Sequence, residues 1–202
     1  LRKNDRIIAQ SAGMKTDLLN NYVKDERKVS IIYNPSPFKI CNDLNEKQQI
    51  KRDEIVFIGR LNKVKGIDQL LHAIALVKMK YEGFVLKIIG HGPELIKLRA
   101  LCQSLQIENN VLFMGENLEI KSHILSSKAI VLSSLYEGFP NVLVESISLG
   151  TPVISYDCPS GPSEIIIPFV NGILVPHLNV EMLAEAIINV LQNKYQFDKE
   201  QI

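Results

Sequence analysis

The chain contains no tryptophan. Its three cysteines, Cys41, Cys102 and Cys158, lie too far apart to form a CxxC pair. An odd, scattered set reads as reduced thiols of a cytoplasmic protein, not as a disulfide framework or a zinc site. Charge of one sign is lacking too: Lys+Arg 23 against Asp+Glu 22 leaves a net charge of +1. Nothing global then draws the chain to nucleic acid or to an anionic membrane. No apolar run approaches the roughly 18–20 residues that span a bilayer, and none reads as a signal peptide. The phosphate-cradling GxxxxGK[ST] loop is missing, as is the GxSxG turn of serine hydrolases. Four histidines (His72, His91, His123, His177) show no metal-ligand spacing, and no Asp-x-Asp pair offers a divalent-metal clamp, so no metal is expected. A receiver-type phosphoacceptor domain needs acidic residues at its strand ends. The ends here read Gly59, Gly90, Gly115 and Ser134.

What is present is an ordinary globular balance: 202 residues, 46% hydrophobic and 22% charged, with Gly 11 and Pro 9. Short β-branched runs recur at Glu54–Gly59, Phe84–Gly90, Val111–Gly115, Ala129–Ser134, Pro152–Tyr156 and Gly172–Val175. They are too apolar for half-exposed strands and predict parallel strands covered on both faces. Helical patterns lie between them at Gly66–Lys80, Pro93–Leu105, Leu118–Ser127, Pro140–Leu149 and Val180–Gln192. The alternation predicts an α/β fold, a doubly wound, mostly parallel sheet of about six strands. Ligands of such sheets bind outside the carboxyl ends of the strands, where strand order reverses. The loops that start at Gly59, Gly90, Gly115 and Ser134 are therefore where a site is expected.

The first fifty residues differ. Arg6–Ser11 is a short apolar run, Met14–Tyr22 is helix-like, and Lys28–Tyr33 reads as a strand before the stiff segment Asn34-Pro35-Ser36-Pro37. Residues 1–37 read as a hinge or the edge of a neighbouring domain, 38–53 as a polar linker, 54–193 as the main domain and 194–202 as a frayed tail. A chain that opens in mid-pattern is expected to be a fragment of a larger protein.

Four loops carry candidate chemistry. Gly59 ends a strand without a side chain, so a ligand can approach the backbone, and Arg60 and Lys65 follow on the same loop. Two cations there suit a diphosphate, Arg as a fork and Lys as a point charge; solvated loop charges are the bland alternative. In Glu137-Gly138-Phe139-Pro140-Asn141-Val142-Leu143-Val144-Glu145, Pro140 suits the first position of a helix. The N–H groups of Asn141 to Leu143 are then free to face an anionic or hydroxyl-rich ligand. Glu145 stands in an apolar stretch, on the helical face of Asn141 and Leu149. Burial demands partners for it: two ribose hydroxyls, or a structural pair with Arg60 or Lys65. Glu137 can bond a sugar or complement the helix dipole. Gly90-His91-Gly92-Pro93 opens like a dinucleotide fingerprint, but Leu95 stands at the third glycine position, which leaves a tight turn and a loop histidine. Asp157 to Glu164 form a Gly/Pro-rich loop, a wall for a bound group or plain turn chemistry.

Together, FIGRLNKVKGIDQLLHAI, KIIGHGPE, VLFMGE, SSLYEGFPNVLVESISLGTPVIS and GILVP resemble the C-terminal, donor-binding domain of the retaining glycosyltransferases of family 4 (group 1 type). Glu137 and Glu145 match the family's paired glutamates, and residues 6–37 resemble its hinge out of an N-terminal acceptor domain. The resemblance implies a Rossmann-like half of a GT-B fold. It also implies a UDP- or GDP-linked sugar as donor, a saccharide or lipid-linked acceptor held by the other half, and no metal or other cofactor. Arg60 and Lys65 would hold the diphosphate and Glu145 the ribose. Glu137 with Gly138, Phe139, Pro140, Asn141 and Val142 would hold the sugar. Gly59, Gly90 and backbone around Glu116, Asn117 and Leu118 would border the nucleotide and its base. Polysaccharide or lipopolysaccharide assembly at the cytoplasmic membrane face is the implied setting, and the fragment alone is expected to transfer nothing. The family's glycine pair after Pro152–Tyr156 is replaced by Cys158-Pro159-Ser160-Gly161-Pro162, which resembles a subset that handles galactose-type or N-acetylhexosamine donors. The readings left beside this one are a GT-B-like epimerase or phosphorylase, and a non-catalytic nucleotide- or partner-binding α/β module.

Overall fold

A computed structural model describes residues 5–38 and 52–197. The expected linker falls almost wholly outside the described residues, as do Cys41 and residues 198–202.

The main body alternates β3 (Glu54–Ile58), α2 (Ile67–Lys78), β4 (Val85–Ile89), α3 (Leu95–Ser104), β5 (Val111–Gly115), α4 (Ile120–Ser126), β6 (Ala129–Leu132), α5 (Asn141–Ser148), β7 (Val153–Tyr156), α6 (Pro162–Ile165), β8 (Gly172–Val175) and α7 (Val180–Leu191). The sheet runs β5-β4-β3-β6-β7-β8 and every pairing is parallel. Strand order reverses between β3 and β6, which opens a crevice at their carboxyl ends.

Alternation along each strand feeds two cores. Ile55 and Phe57 of β3 point to one face with Leu86, Ile88, Val131 and Ile154, under α2, α3 and α7. Val56 points to the other face with Ile130, Leu132 and Val153, under α4 and α5. Cover on both faces explains the unbroken apolar runs. β5 departs from that expectation. It is an edge strand, and Leu112 and Met114 stay 45% and 38% exposed, while Phe113 turns inward beneath the guanidinium of Arg99.

Residues 5–38 form a smaller unit: β1 (Ile7–Ala9), α1 (Ala12–Asn21) and β2 (Val29–Ile31). β1 and β2 pair in parallel, and Ala9, Val23 and Val29 make a separate small core. Two details correct the expectations. α6 lies inside the stretch read as plain loop. The tail expected to fray from Lys194 is packed through Phe197: Tyr195 and Phe197 rest on the core, and Tyr195 meets Phe169 at 5.8 Å between ring centroids.

Candidate active site

The loop after β3 is built around two close approaches. Asn62 caps a 3-10 turn over Lys63–Lys65 by accepting from the N–H of Lys65 at 3.2 Å. Gly66 then starts α2 at φ +56°, and a Cβ there would lie 2.2 Å from the carbonyl of Ser133. Only glycine fits both the left-handed backbone and that gap. The loop is further tied to the one after β6: Leu135 N–H donates to Val64 O and the Ser133 hydroxyl to Lys65 O. On its other side runs Gly90, at φ +141°, where a Cβ would stand 1.9 Å from the carbonyl of Gly59. The Gly-His-Gly turn therefore lets two loops lie backbone to backbone, with Leu61 N–H donating to His91 O. A dinucleotide fingerprint has no part in it.

The loops after β3, β4 and β5 border an open cavity of about 680 Å³. Gly59, Arg60, Gly90, Glu116 and Asn117, all singled out from sequence, line it. So do Ile58, Ile89, His91, Gly92, Pro93 and Ile120, which the sequence reading passed over as site residues. The isoleucines are ends of elements whose loops were flagged, and that position was the signal. Arg60 is exposed, and its guanidinium makes no hydrogen bond or ion pair among the described residues. Asn117 is fixed: its Oδ1 accepts from Glu119 N–H at 2.7 Å, and its Nδ2 lies 3.1 Å from Nε2 of His123.

Lys65 links this cavity to a second cluster. Its stem passes Gly59, with Cε 3.8 Å from where a Cβ would be. Its ammonium donates to Glu137 Oε1 at 2.6 Å, and the hydroxyl of Ser134 donates to the same oxygen at 2.6 Å. The two basic side chains expected as a free pair thus differ: Arg60 is open and Lys65 is held by an acid.

Pro140 is the N-cap of α5 and not its first residue, with ψ 92°, so the helix begins one residue later than expected. Leu143 N–H turns back to Pro140 O. The N–H groups of Gly138, Phe139, Asn141 and Val142 meet no acceptor among the described residues. One turn on, Glu145 is half-buried, without a hydrogen bond or ion pair among the described residues. The pair with Arg60 or Lys65 that would have made it structural is not formed. Burial raises its pKa, as expected for a carboxyl short of water and partners. Cys158, near Glu137, is buried with its thiol pushed up to about 11, first by burial and next by that carboxylate. It stays protonated at neutral pH and is no nucleophile. Among the described residues no three His, Cys, Asp or Glu side chains gather as a metal site.

Residues 42–201 match the family of glycosyl transferases group 1. The chain belongs to that family. The chain is 30% identical over 174 residues to the lipopolysaccharide 1,6-galactosyltransferase of Escherichia coli K12, a match covering 83% of the chain and 47% of that protein. Among solved structures it resembles the apo form of the lipopolysaccharide outer core galactosyltransferase WaaB, with TM-score 0.79 and 27% identity over 97% of this chain and 55% of that one. A mutant of S. aureus TarM in complex with fondaparinux, alpha-GlcNAc-glycerol and UDP aligns with TM-score 0.84 and 25% identity, over 93% of this chain and 37% of that one. The group 1 chain spans about half the length of the relatives it matches, 47% in the Escherichia coli case, and its α/β architecture is one half of a GT-B fold. Among the described residues no helix is long and apolar enough to cross a membrane.

Proposed function

We propose that this chain is the donor-binding half of a retaining glycosyltransferase, taking a hexose from a UDP- or GDP-linked sugar to a saccharide or lipid-linked acceptor. The supporting observation is the guanidinium of Arg60, unpaired among the described residues, at the mouth of a cavity over the carboxyl ends of β3, β4 and β5. Isoleucines from three elements flank that cavity and suit a flat base, with backbone near Glu116 and Asn117 at its edge. Arg60 meets the diphosphate as a fork. Lys65 joins it without leaving Glu137, because an ammonium has three donors and Glu137 takes one. Glu145 receives the ribose hydroxyls, which relieves a carboxyl that burial has left without partners. Glu137 Oε2 and the open N–H groups of Gly138, Phe139, Asn141 and Val142 face the sugar.

Transfer breaks the bond from the anomeric carbon to the diphosphate oxygen, which leaves with the electron pair. The acceptor hydroxyl bonds the same carbon from the same face, and its proton passes to the departing phosphate. Fixed positive charge where negative charge develops stabilises this step, so activity of the complete enzyme survives EDTA. The TarM complex holds UDP, and the galactosyltransferase names of two relatives favour a hexose donor. The acceptor belongs to the half of the cleft outside this chain, so the chain alone binds donor and transfers nothing.

Calorimetric titration with UDP and GDP is the test. One of the two binds at millimolar or tighter affinity, and Arg60→Ala weakens it by about 10- to 100-fold, the loss of one charge-assisted contact. Equal binding by both forms, or none by either, overturns the proposal in favour of a structural α/β module.

A further inference from the structure

The loop read as facing the donor sugar is held from outside at three residues, two directly by the small N-terminal unit and the third through Ser160 of the main body. Asn34 Nδ2 donates to Asn141 Oδ1 at 2.9 Å. The ring of Tyr33 lies 5.5 Å from that of Phe139, centroid to centroid. The hydroxyl of Ser160 donates to the carbonyl of Gly138 at 3.2 Å and lies 2.9 Å from that of Ser11.

The unit is itself anchored by one carboxylate. The N–H of Ala12 donates to Glu164 Oε2 at 2.6 Å and the N–H of Gly13 to Oε1 at 3.1 Å. These are the first two N–H groups of α1, and the third, of Met14, goes to Ser11 Oγ. Glu164 thus satisfies the open end of a helix that is remote in sequence, with the helix dipole adding to the attraction. The Tyr33 hydroxyl reaches Glu164 Oε2 as well, at 3.3 Å. The fit is close: a Cβ on Gly13 would lie 2.6 Å from Ser160 Oγ.

We propose that residues 11–34 act as a positioning strap for the donor-sugar loop, with Glu164 as its buckle. This rests on the donor-site reading above and goes beyond it, since Glu164, Asn34, Tyr33 and Ser160 touch no part of the nucleotide cavity. Gly138, Phe139 and Asn141 hold their N–H groups toward the sugar only while the strap is closed. Movement of the N-terminal unit then changes sugar binding and leaves the nucleotide end alone. Glu164, Asn34 and Tyr33 are positioning residues.

The test compares wild type with Glu164→Ala, Asn34→Ala and Gly13→Val, the last a steric wedge that removes no hydrogen-bonding side chain. Deuterium uptake in a peptide spanning residues 135–147 rises about tenfold in rate in each variant, the rate change of a local opening eased by roughly 1.4 kcal/mol. Uptake across β3 and β4 stays fixed. Binding of UDP moves less than twofold. The preference of the chain for whichever of UDP-galactose, UDP-glucose or UDP-N-acetylglucosamine it favours over UDP falls about tenfold. Unchanged uptake in all three variants overturns the strap, and so does equal weakening of UDP and its sugar conjugates, the mark of a merely structural contact. Failure of wild type to bind any of these ligands overturns the donor-site reading, while the uptake measurement still decides whether the unit holds the loop.

Discussion

The two ends of the six-stranded sheet are wired in opposite ways. Toward the amino end the charges on and beside β3, β4 and β6 are paired. Lys128 meets Asp53 at 2.7 Å and the carbonyl of Leu191 at 2.6 Å, Tyr81 donates to Asp53 at 2.8 Å, and Lys87 meets Glu54 at 2.7 Å. At the carboxyl end Arg60 and Glu145 stand unpaired among the described residues. There too, at the tip of β7, the buried hydroxyl of Tyr156 finds no partner among the described residues. Unsatisfied groups in a folded protein cost stability, and these three all lie toward the carboxyl end of the sheet. A closed end serves the scaffold, and an open end is free to take a ligand.

The comparison can be broken most severely at Gly90. Gly90→Ala adds a methyl against the carbonyl of Gly59 on a left-handed backbone, and is expected to cost ~4 kcal/mol. Chemical denaturation would show the loss, along with loss of nucleotide binding, because the two loops separate. Next comes the amino end. Lys87→Met takes from Glu54, whose side chain is only 11% exposed, its nearest cation and leaves it only Arg52 at 3.8 Å. We expect a loss of ~3 kcal/mol, read as a lower Tm with UDP affinity unchanged. Tyr156→Phe sharpens the contrast from the other end. It removes a hydroxyl that bonds nothing, so stability rises by ~1 kcal/mol.

The smallest effect is in pH dependence, where the two ends have opposite signs. The hydrogen bond from Lys128 holds Asp53 below the usual carboxylate range. Its contribution is full above the unfolded pKa and is lost as pH falls through the folded one. Glu145 is raised by burial, so its share of stability grows as pH falls through its folded pKa. Lys128→Met flattens the acid limb of a stability profile, and Glu145→Gln removes the gain. A profile indifferent to both variants would erase the distinction between the ends.

Much of this was legible in the chain. The strands lie within a residue or two of the apolar runs, because burial on both faces leaves a pattern that needs no partner to be recognised. The loops after Gly59, Gly90, Gly115 and Ser134 were flagged because a doubly wound sheet puts its site there. The link from Lys65 to Glu137 was not readable. It depends on how two loops seventy residues apart lean together, and neither loop names the other. Glu164 was hidden for the same reason: a carboxylate in a Gly/Pro-rich loop gives no sign that it will cap a helix at residue 12. Edge strand β5 was misjudged because a run such as VLFMG looks alike at the rim and in the middle of a sheet.

Strand order has a consequence for how the chain is made. β3 lies at the centre, yet Ile55 must wait for Ala129 to emerge before its second side is paired. Until then the nascent chain carries a half-sheet of β3, β4 and β5 with the strand destined for deepest burial bare along one edge. Non-local pairing of this kind is slow and prone to aggregation. Truncation before β6 should therefore give insoluble product during synthesis.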